Sequence, residues 1–396
     1  MLASFQILLG LVALIVGGEL LVRGASAIAA AMRISPLVIG LTVVAFGTSA
    51  PELGVSLQAA YANSVAVAVG NVIGSNVFNV LCVLGLAALF SPLVVSSQLI
   101  RLDVPLMIGA SVLTWVLARD GVLSRGDGAL LFSLLVAYLG LCFFNARRGR
   151  EPAAAAAEAA PTAAEKNLSD ADAELSADTE AEGVGVFVVD ESLVTPPPPE
   201  RLPLQFVWIA LGLVGLGFGA KWLVTGSVSV ATWLGVSELI IGLTIVAVGT
   251  SLPEIVTSVV ATIRGQRDIA VGNVVGSNLF NLGCVLGISS MVAPGGIPVD
   301  AEAIAFDLPV MIAVAAVCMP IFFTGQLITR WEGILLLSYY VAYTGLLIFT
   351  QTHPSIAEQL GWVLGYVVIP LTVLTIVASV VLSIRNPASP EADPLR

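Results

Sequence analysis

Residues 40–85 of this 396-residue chain recur at residues 242–287, and both copies lie inside stretches apolar enough for a membrane. The first copy reads GLTVVAFGTSAPELGVSLQAA and then GNVIGSNVFNVLCVLG. The second reads GLTIVAVGTSLPEIVTSVVAT and then GNVVGSNLFNLGCVLG. One offset of 202 aligns them without a gap, taking Glu52 to Glu254, Asn79 to Asn281 and Cys82 to Cys284. Over 39–86, 27 of 48 positions are identical, too many for a shared apolar bias to produce. What repeats is Gly, Thr, Ser, Pro, Glu and Asn. A duplicated polar set in an apolar chain points to a site where two halves meet.

The surrounding chain leaves one fold class. It is 57% hydrophobic and 11% charged, with a mean hydropathy of +0.99, far outside the soluble globular range. Apolar runs of about 20 residues follow one another, each long enough to cross a ~30 Å hydrocarbon core as a helix. They fall near 5–25, 36–62, 65–90, 104–117, 128–145, 204–227, 238–263, 269–292, 305–323, 331–350 and 361–383, which makes eleven expected spans. The apolar N-terminus lacks the basic start of a signal peptide, and its GELLVRGA (18–25) matches AKWLVTGS (220–227) at the same offset, so it reads as a retained first span.

The net charge of −11 belongs to one segment. Residues 151–200 hold twelve carboxylates and one basic residue, Lys166, and the rest of the chain is neutral. The low pI therefore gives no reason to expect a nucleic-acid partner. Runs such as SDADAELSADTEAEG and PPPPE bury too little apolar surface to offset their ordering entropy, so 147–202 reads as an acidic, largely disordered linker, with 184–189 as a short apolar exception. The domains expected are a first repeat at 1–146, the linker at 147–202, a second repeat at 203–351, an additional span at 358–384 and a tail at 385–396. Cys82, Cys142, Cys284 and Cys318 all lie in expected spans without a CxxC pair and read as packing residues.

Basic residues orient the chain. With the N-terminus outside, thirteen Lys and Arg fall on the cytoplasmic side and two, Arg119 and Arg125, fall outside, with Lys221 inside a span. The linker and C-terminus are then cytoplasmic. Each repeat has five spans, an odd number, so the second enters the membrane from the opposite side. Inverted repeats suit a carrier with two equivalent gated states. The fold expected is thus an all-α polytopic membrane protein of two inverted five-helix repeats plus one extra C-terminal transmembrane helix.

The repeated residues carry chemistry. Pro51 lacks an N–H, so the Gly47 carbonyl loses its helical partner, and Pro253 does the same for Gly249. Broken backbone at membrane depth is tolerated where it is buried in protein or lines a polar cavity. Thr48, Glu52 and Ser56 share one helix face at i, i+4 and i+8, with Ser49 adjacent; Thr250, Glu254 and Ser258, with Ser251, repeat them. The following span carries a second stripe, Asn71, Ser75 and Asn79, repeated as Asn273, Ser277 and Asn281. Every donor is a hard oxygen, which selects Ca²⁺ or Na⁺ over zinc, copper or iron. A carboxylate at the bilayer centre costs roughly 3 kcal/mol, and one Ca²⁺, two Na⁺ or two protons would neutralise Glu52 plus Glu254. Asn71 and Asn273 read as cross-helix bonding groups, and Glu19 as a gating or salt-bridge residue. Asp103-Val-Pro and Asp307-Leu-Pro read as N-terminal caps of the fourth and ninth spans.

At GTSAPE…GNVIGSNVFN and GTSLPE…GNVVGSNLFN the chain resembles the cation/calcium antiporter superfamily, most closely its bacterial sodium/calcium exchanger branch, related to potassium-dependent exchangers. The resemblance covers residues 1–350 apart from the linker. It implies cation sites between the two GTSxPE helices and the two GSNxxN helices. Glu52 and Glu254 would bind Ca²⁺ together with the main-chain carbonyls of Thr48 and Thr250. Thr48, Ser49, Ser75, Thr250, Ser251 and Ser277, with the carbonyls of Ala45 and Ala247, would line flanking Na⁺ sites, and Asn79 and Asn281 would complete the middle position. Some relatives carry Asp where this chain has Asn281, which weakens a potassium-coupled reading. The eleventh span is extra to the ten-helix plan, and the linker has no EF-hand pattern.

The activity expected is secondary antiport of Ca²⁺ against Na⁺ across a bacterial cytoplasmic (inner) membrane by alternating access. Ca²⁺/H⁺ exchange with the same glutamates protonated, or potassium-dependent exchange, is the alternative. No cofactor is expected; the partners are the transported Ca²⁺ and Na⁺ and the lipid bilayer. With no ATP-binding loop and no nucleophile beside a base, nothing in the chain reads as an enzyme.

Overall fold

A backbone surrounded by hydrocarbon has to satisfy its own N–H and C=O groups, and helices do so within one segment. The computed structural model describes residues 2–32, 34–61, 65–148, 202–233, 247–323 and 325–368, with Pro370 and Leu374. The expected linker with its 184–189 run, the start of the seventh expected span and most of the eleventh lie outside the described residues. Among the described residues, nine helices are long and apolar enough to cross a membrane. They are α1 (Ala3–Met32), α2 (Pro36–Tyr61), α3 (Ala68–Phe90), α4 (Leu99–Asp120), α5 (Arg125–Phe144), α6 (Pro203–Val230), α8 (Arg267–Val292), α9 (Ala303–Phe323) and α10 (Arg330–Thr350). Between α6 and α8 a shorter apolar helix, α7 (Leu252–Ile263), follows the single turn Ala247–Thr250. After α10 comes α11 (Pro354–Val363), which runs into a π-helical turn, Leu364–Val368.

Burial sorts these helices. The apolar window of α8 is entirely buried, that of α3 is 78% buried and that of α2 is 61%, against 28% for α5 and 11% for α10. The helices carrying the duplicated motifs thus form the centre, and α5 and α10, which lack them, face outward. On α7 the buried residues include Glu254, Thr257, Ser258 and Thr262, so its polar face points inward, the reverse of a soluble amphipathic helix.

The longest contact joins α1 and α6. A methyl group at Gly10 would meet the Leu223 nitrogen at 2.6 Å, at Gly17 the Leu216 nitrogen at 2.8 Å, and at Gly24 the Gln205 oxygen at 2.9 Å. Numbers rise along one helix as they fall along the other, so the two run antiparallel. From the other side, Gly212, Gly219 and Gly226 approach Leu21, Leu14 and Ala3 in the same way. The six glycines are two sets of three, each spaced by seven residues and related by the offset of 202. Small residues on one stripe let backbones meet closely in a membrane. Gly272 and Gly276 of α8 similarly admit Leu37 and Leu41 of α2.

Four two-residue strands tie the loops together. β1 (Leu93–Val94) pairs antiparallel with β4 (Leu327–Ile328), and β2 (Val122–Leu123) pairs with β3 (Ile297–Pro298). The expected caps at Asp103 and Asp307 are not formed. The helix containing Asp103 begins earlier, through a π-helical turn at Leu99–Asp103, and the Asp103 side chain caps nothing. It accepts instead from the Tyr138 hydroxyl at 3.0 Å and from the Gln98 amide at 3.3 Å. A π-helical turn, Ala303–Asp307, likewise precedes Leu308. Glu19 forms a salt bridge with Arg264, joining α1 to the end of α7.

Two outward crevices complete the picture. One of about 390 Å³ lies between α4, α5 and α8, and one of about 290 Å³ between α9, α10 and α3. Their linings correspond position by position, as at Leu106 and Val310 or Tyr138 and Tyr343. Gly361, Leu364 and Gly365 close over the second. The mate of this crevice, at α4 and α5, has no such cover among the described residues.

Candidate cation site

The helix of the first motif breaks two residues before its proline. Ser49 (φ −80°, ψ 2°) leaves the helical region, and Ser251 (φ −92°, ψ 11°) does so in the second copy. Each break sets the following turn, with Glu52 or Glu254 in it, into the middle of the bundle. Both glutamates are 0% exposed. Thr48, Ser49, Ser75, Asn79, Ser251, Ser277 and Asn281 are buried around them, and Thr250 is half-buried.

The two halves interlock through these side chains. The Ser251 hydroxyl donates to Glu52 Oε1 at 3.1 Å and lies 3.2 Å from the Ser75 hydroxyl. The Thr48 hydroxyl donates to Asn273 Oδ1 at 3.1 Å and lies 3.3 Å from the Ser277 hydroxyl. Thr48, Ser49 and Ser277 surround the Glu254 carboxylate. The carbonyl of Ala45 accepts from the Ser49 N–H at 3.0 Å and faces the Thr48 hydroxyl at 3.3 Å. Ala247 sits in the equivalent turn before Thr250, and its side chain is outside the description.

Several contacts exchange under the offset of 202. Asn71 donates to Ser56 at 3.1 Å as Asn273 donates to Ser258 at 3.0 Å. Thr250 donates to Asn71 at 3.5 Å as Thr48 does to Asn273. Asn79 donates to Asn278 at 3.2 Å as Asn281 donates to Asn76 at 3.1 Å. Asn71 and Asn273 are therefore the cross-helix bonding groups that the sequence suggested. The i, i+4, i+8 stripe passes Asn76 and Asn278 by, so its spacing does not single them out. Their signal was present in the GSN triplet, repeated unchanged in both copies.

What remains unpaired is telling. Glu52 Oε2, both Glu254 oxygens, the Oδ1 atoms of Asn79 and Asn281 and the Ser49 hydroxyl are buried without a hydrogen-bond partner among the described residues. No Lys or Arg pairs with either glutamate there; the ion pair present is the one between Arg264 and Glu19. Leaving a buried acceptor unsatisfied costs about 1–3 kcal/mol, and more when it is charged. Five acceptor oxygens, two from the first half and three from the second, are thus buried and unpaired among the described residues, and hard oxygens of this kind are what hard cations take as ligands.

Comparison with known proteins identifies the family. A family model described as "Sodium/calcium exchanger protein" matches residues 2–144 and 204–349, leaving out the acidic segment and the C-terminal end. The putative antiporter CaxA of Alkalimonas amylolytica is 38% identical over 348 residues, covering 87% of this chain and 98% of that protein. The sodium/calcium exchanger MaX1 of Methanosarcina acetivorans is 35% identical, covering 87% of this chain and 97% of that protein. A structure of the sodium-calcium exchanger NCX_Mj, soaked with 10 mM Na⁺ and zero Ca²⁺, superposes with a TM-score of 0.67 at 29% identity, covering 86% of this chain and 97% of that one. With its duplicated glutamates held in the buried centre of a multi-pass helical bundle, the chain belongs to the sodium/calcium exchanger family of cation/calcium antiporters.

Proposed function

We propose that this protein exchanges Ca²⁺ for Na⁺ by alternating access, with the ions held between Glu52 and Glu254. The observation that carries this is the set of buried, unpartnered oxygens contributed by equivalent residues of both halves. One Ca²⁺ balances the two carboxylates, and so do two Na⁺. Competition for one charge-balanced pocket is a direct basis for antiport. A third Na⁺ makes the exchange electrogenic. Thr48, Ser49, Ser75, Thr250, Ser251 and Ser277 supply the flanking oxygens in this reading, with the carbonyls of Ala45, Thr48, Ala247 and Thr250. Asn79 and Asn281 supply the neutral oxygens of the middle position.

The two halves, 1–146 and 203–351, are read as inverted repeats. Their first helices, α1 and α6, run antiparallel, as an inversion requires. Pairing of β1 with β4 brings the loop between the third and fourth helices of one half to the loop between the fourth and fifth of the other. Those loops share a membrane face only if the halves are inverted. With the N-terminus outside a bacterial inner membrane, the linker, Arg264 and the C-terminus are cytoplasmic. The α1–α6 pair is the element that moves over the fixed core.

The test is Ca²⁺ binding to the purified protein with Na⁺, H⁺ and K⁺ as competitors. Binding displaced by Na⁺, and abolished in Glu52→Gln and Glu254→Gln, supports the reading. Binding displaced by protons but indifferent to Na⁺ transfers the assignment to Ca²⁺/H⁺ exchange, and binding that survives both substitutions removes the site.

A further inference from the structure

An asparagine beside a cation helps only if its oxygen faces the ion, and nothing in an isolated amide decides which end does. Asn79 and Asn281 each present Oδ1 without a partner while their Nδ2 atoms are engaged. We propose that two amide relays, each ending on a methionine sulfur, fix this orientation and so make Asn76, Asn278, Met107 and Met311 positioning residues of the cation site. The proposal rests on the cation-site reading above and assigns roles to residues outside that pocket's donor set.

The first relay runs from α3 through α8 to α4. Asn79 Nδ2 donates to Asn278 Oδ1 at 3.2 Å, and Asn278 Nδ2 donates to Met107 Sδ at 3.4 Å and to the main-chain carbonyl of Asn76 at 3.4 Å. The second runs from α8 through α3 to α9. Asn281 Nδ2 donates to Asn76 Oδ1 at 3.1 Å, and Asn76 Nδ2 donates to Met311 Sδ at 3.5 Å. All six side chains are buried, and they are exchanged between the halves.

The direction of each relay follows from what lies at its end. A thioether and a main-chain carbonyl accept but never donate. The group facing them must therefore be an amide NH₂, which leaves the Oδ1 of Asn278 or Asn76 to face inward. That oxygen in turn demands the NH₂ of Asn79 or Asn281, and their own Oδ1 atoms are left aimed away from the relay. Reversing any one amide would set two acceptors or two donors against each other. A relay is thus a way of dictating the sign of a dipole at the pocket from a neutral residue two steps away.

The two ends differ, which makes the idea testable. Met311 is the acceptor at which the Asn76 relay ends, whereas Asn278 keeps the Asn76 carbonyl if Met107 is lost. Both methionines are buried alike, at 0% and 2% exposure, so a role in packing alone would make their replacement by Leu equivalent. Ca²⁺ and Na⁺ binding to purified Met311→Leu, Met107→Leu and the double variant is the experiment, with melting temperature in the absence of both ions as the control. The relay predicts that M311L weakens Ca²⁺ binding about tenfold, the scale of one hydrogen bond's orientation being lost, and M107L clearly less, with little change in the ion-free melting temperature. Asn278→Leu and Asn76→Leu, which cut the relays at their centres, are expected to weaken binding at least as much as M311L. Equal effects of the two methionine variants tracking a loss of stability, or no effect on binding, overturn the relay. A wild-type protein that binds neither ion overturns the cation-site reading and the relay with it, whereas normal wild-type binding with unchanged variants removes the relay alone.

Discussion

At the scale of single residues, the two glutamates are chemically equivalent but differently held. Glu52 has one oxygen bonded to Ser251, and Glu254 has both oxygens free of hydrogen bonds. Ser251→Ala removes the donor that anchors Glu52, and Ca²⁺ affinity is expected to fall roughly fivefold, in line with a net hydrogen-bond contribution of about 1 kcal/mol. Titration calorimetry reads this directly; an unchanged affinity would show that the bond does not position the carboxylate. The glutamates were legible in the sequence because a repeated carboxylate in an apolar run, with no basic residue beside it, has few structural explanations. Asn76 and Asn278 were not, since their value lies in contacts with α4 and α9 that no spacing within α3 or α8 encodes. Asp103 misled for a related reason. Asp-Val-Pro has the composition of a helix start, but the helix begins at Leu99, and the carboxylate is engaged by Tyr138, on the next helix, and by Gln98.

At the scale of elements, the break at Ser49 and Ser251 links sequence to site. Proline removes one N–H, glycine precedes it, and the helix re-forms at the next turn with its glutamate buried. Pro51→Ala restores the missing donor to the Gly47 carbonyl. Healing the helix would straighten the turn that sets Glu52 into the centre of the bundle, so Ca²⁺ affinity is expected to drop on the order of tenfold while the protein keeps its melting temperature or gains on it. A variant that loses affinity only together with its fold would argue that the break is a packing feature. The break was legible from Pro51 and Pro253. The glycine stripe between α1 and α6 was equally written in the chain, as Gly10, Gly17 and Gly24 against Gly212, Gly219 and Gly226. Glycine in an apolar span carries no signal, however, until its partner helix is known.

At the scale of the whole molecule, the helices that carry the duplicated polar motifs, α2, α3 and α8, are the most buried, and helices without them, such as α5 and α10, form the outside. A membrane protein gains little by burying apolar side chains that lipid solvates as well, so its centre is free to hold polar groups that satisfy one another or a ligand. Nine of the eleven spans expected from hydropathy are present as full-length helices among the described residues, and the seventh enters the description as α7. Gly361, Leu364 and Gly365 line a crevice at α9 and α10 whose mate at α4 and α5 has no such lining among the described residues. Two halves alike enough to exchange hydrogen bonds, yet unlike at Glu52 and Glu254, are the physical requirement for a carrier with two nearly equivalent states. The central claim is tested by Ca²⁺ uptake into proteoliposomes loaded with Na⁺, with the membrane potential clamped. The account predicts uptake that follows the outward Na⁺ gradient, stops when choline replaces internal Na⁺, and disappears in Glu52→Gln and Glu254→Gln. Uptake that ignores Na⁺ and follows an imposed pH gradient would contradict it.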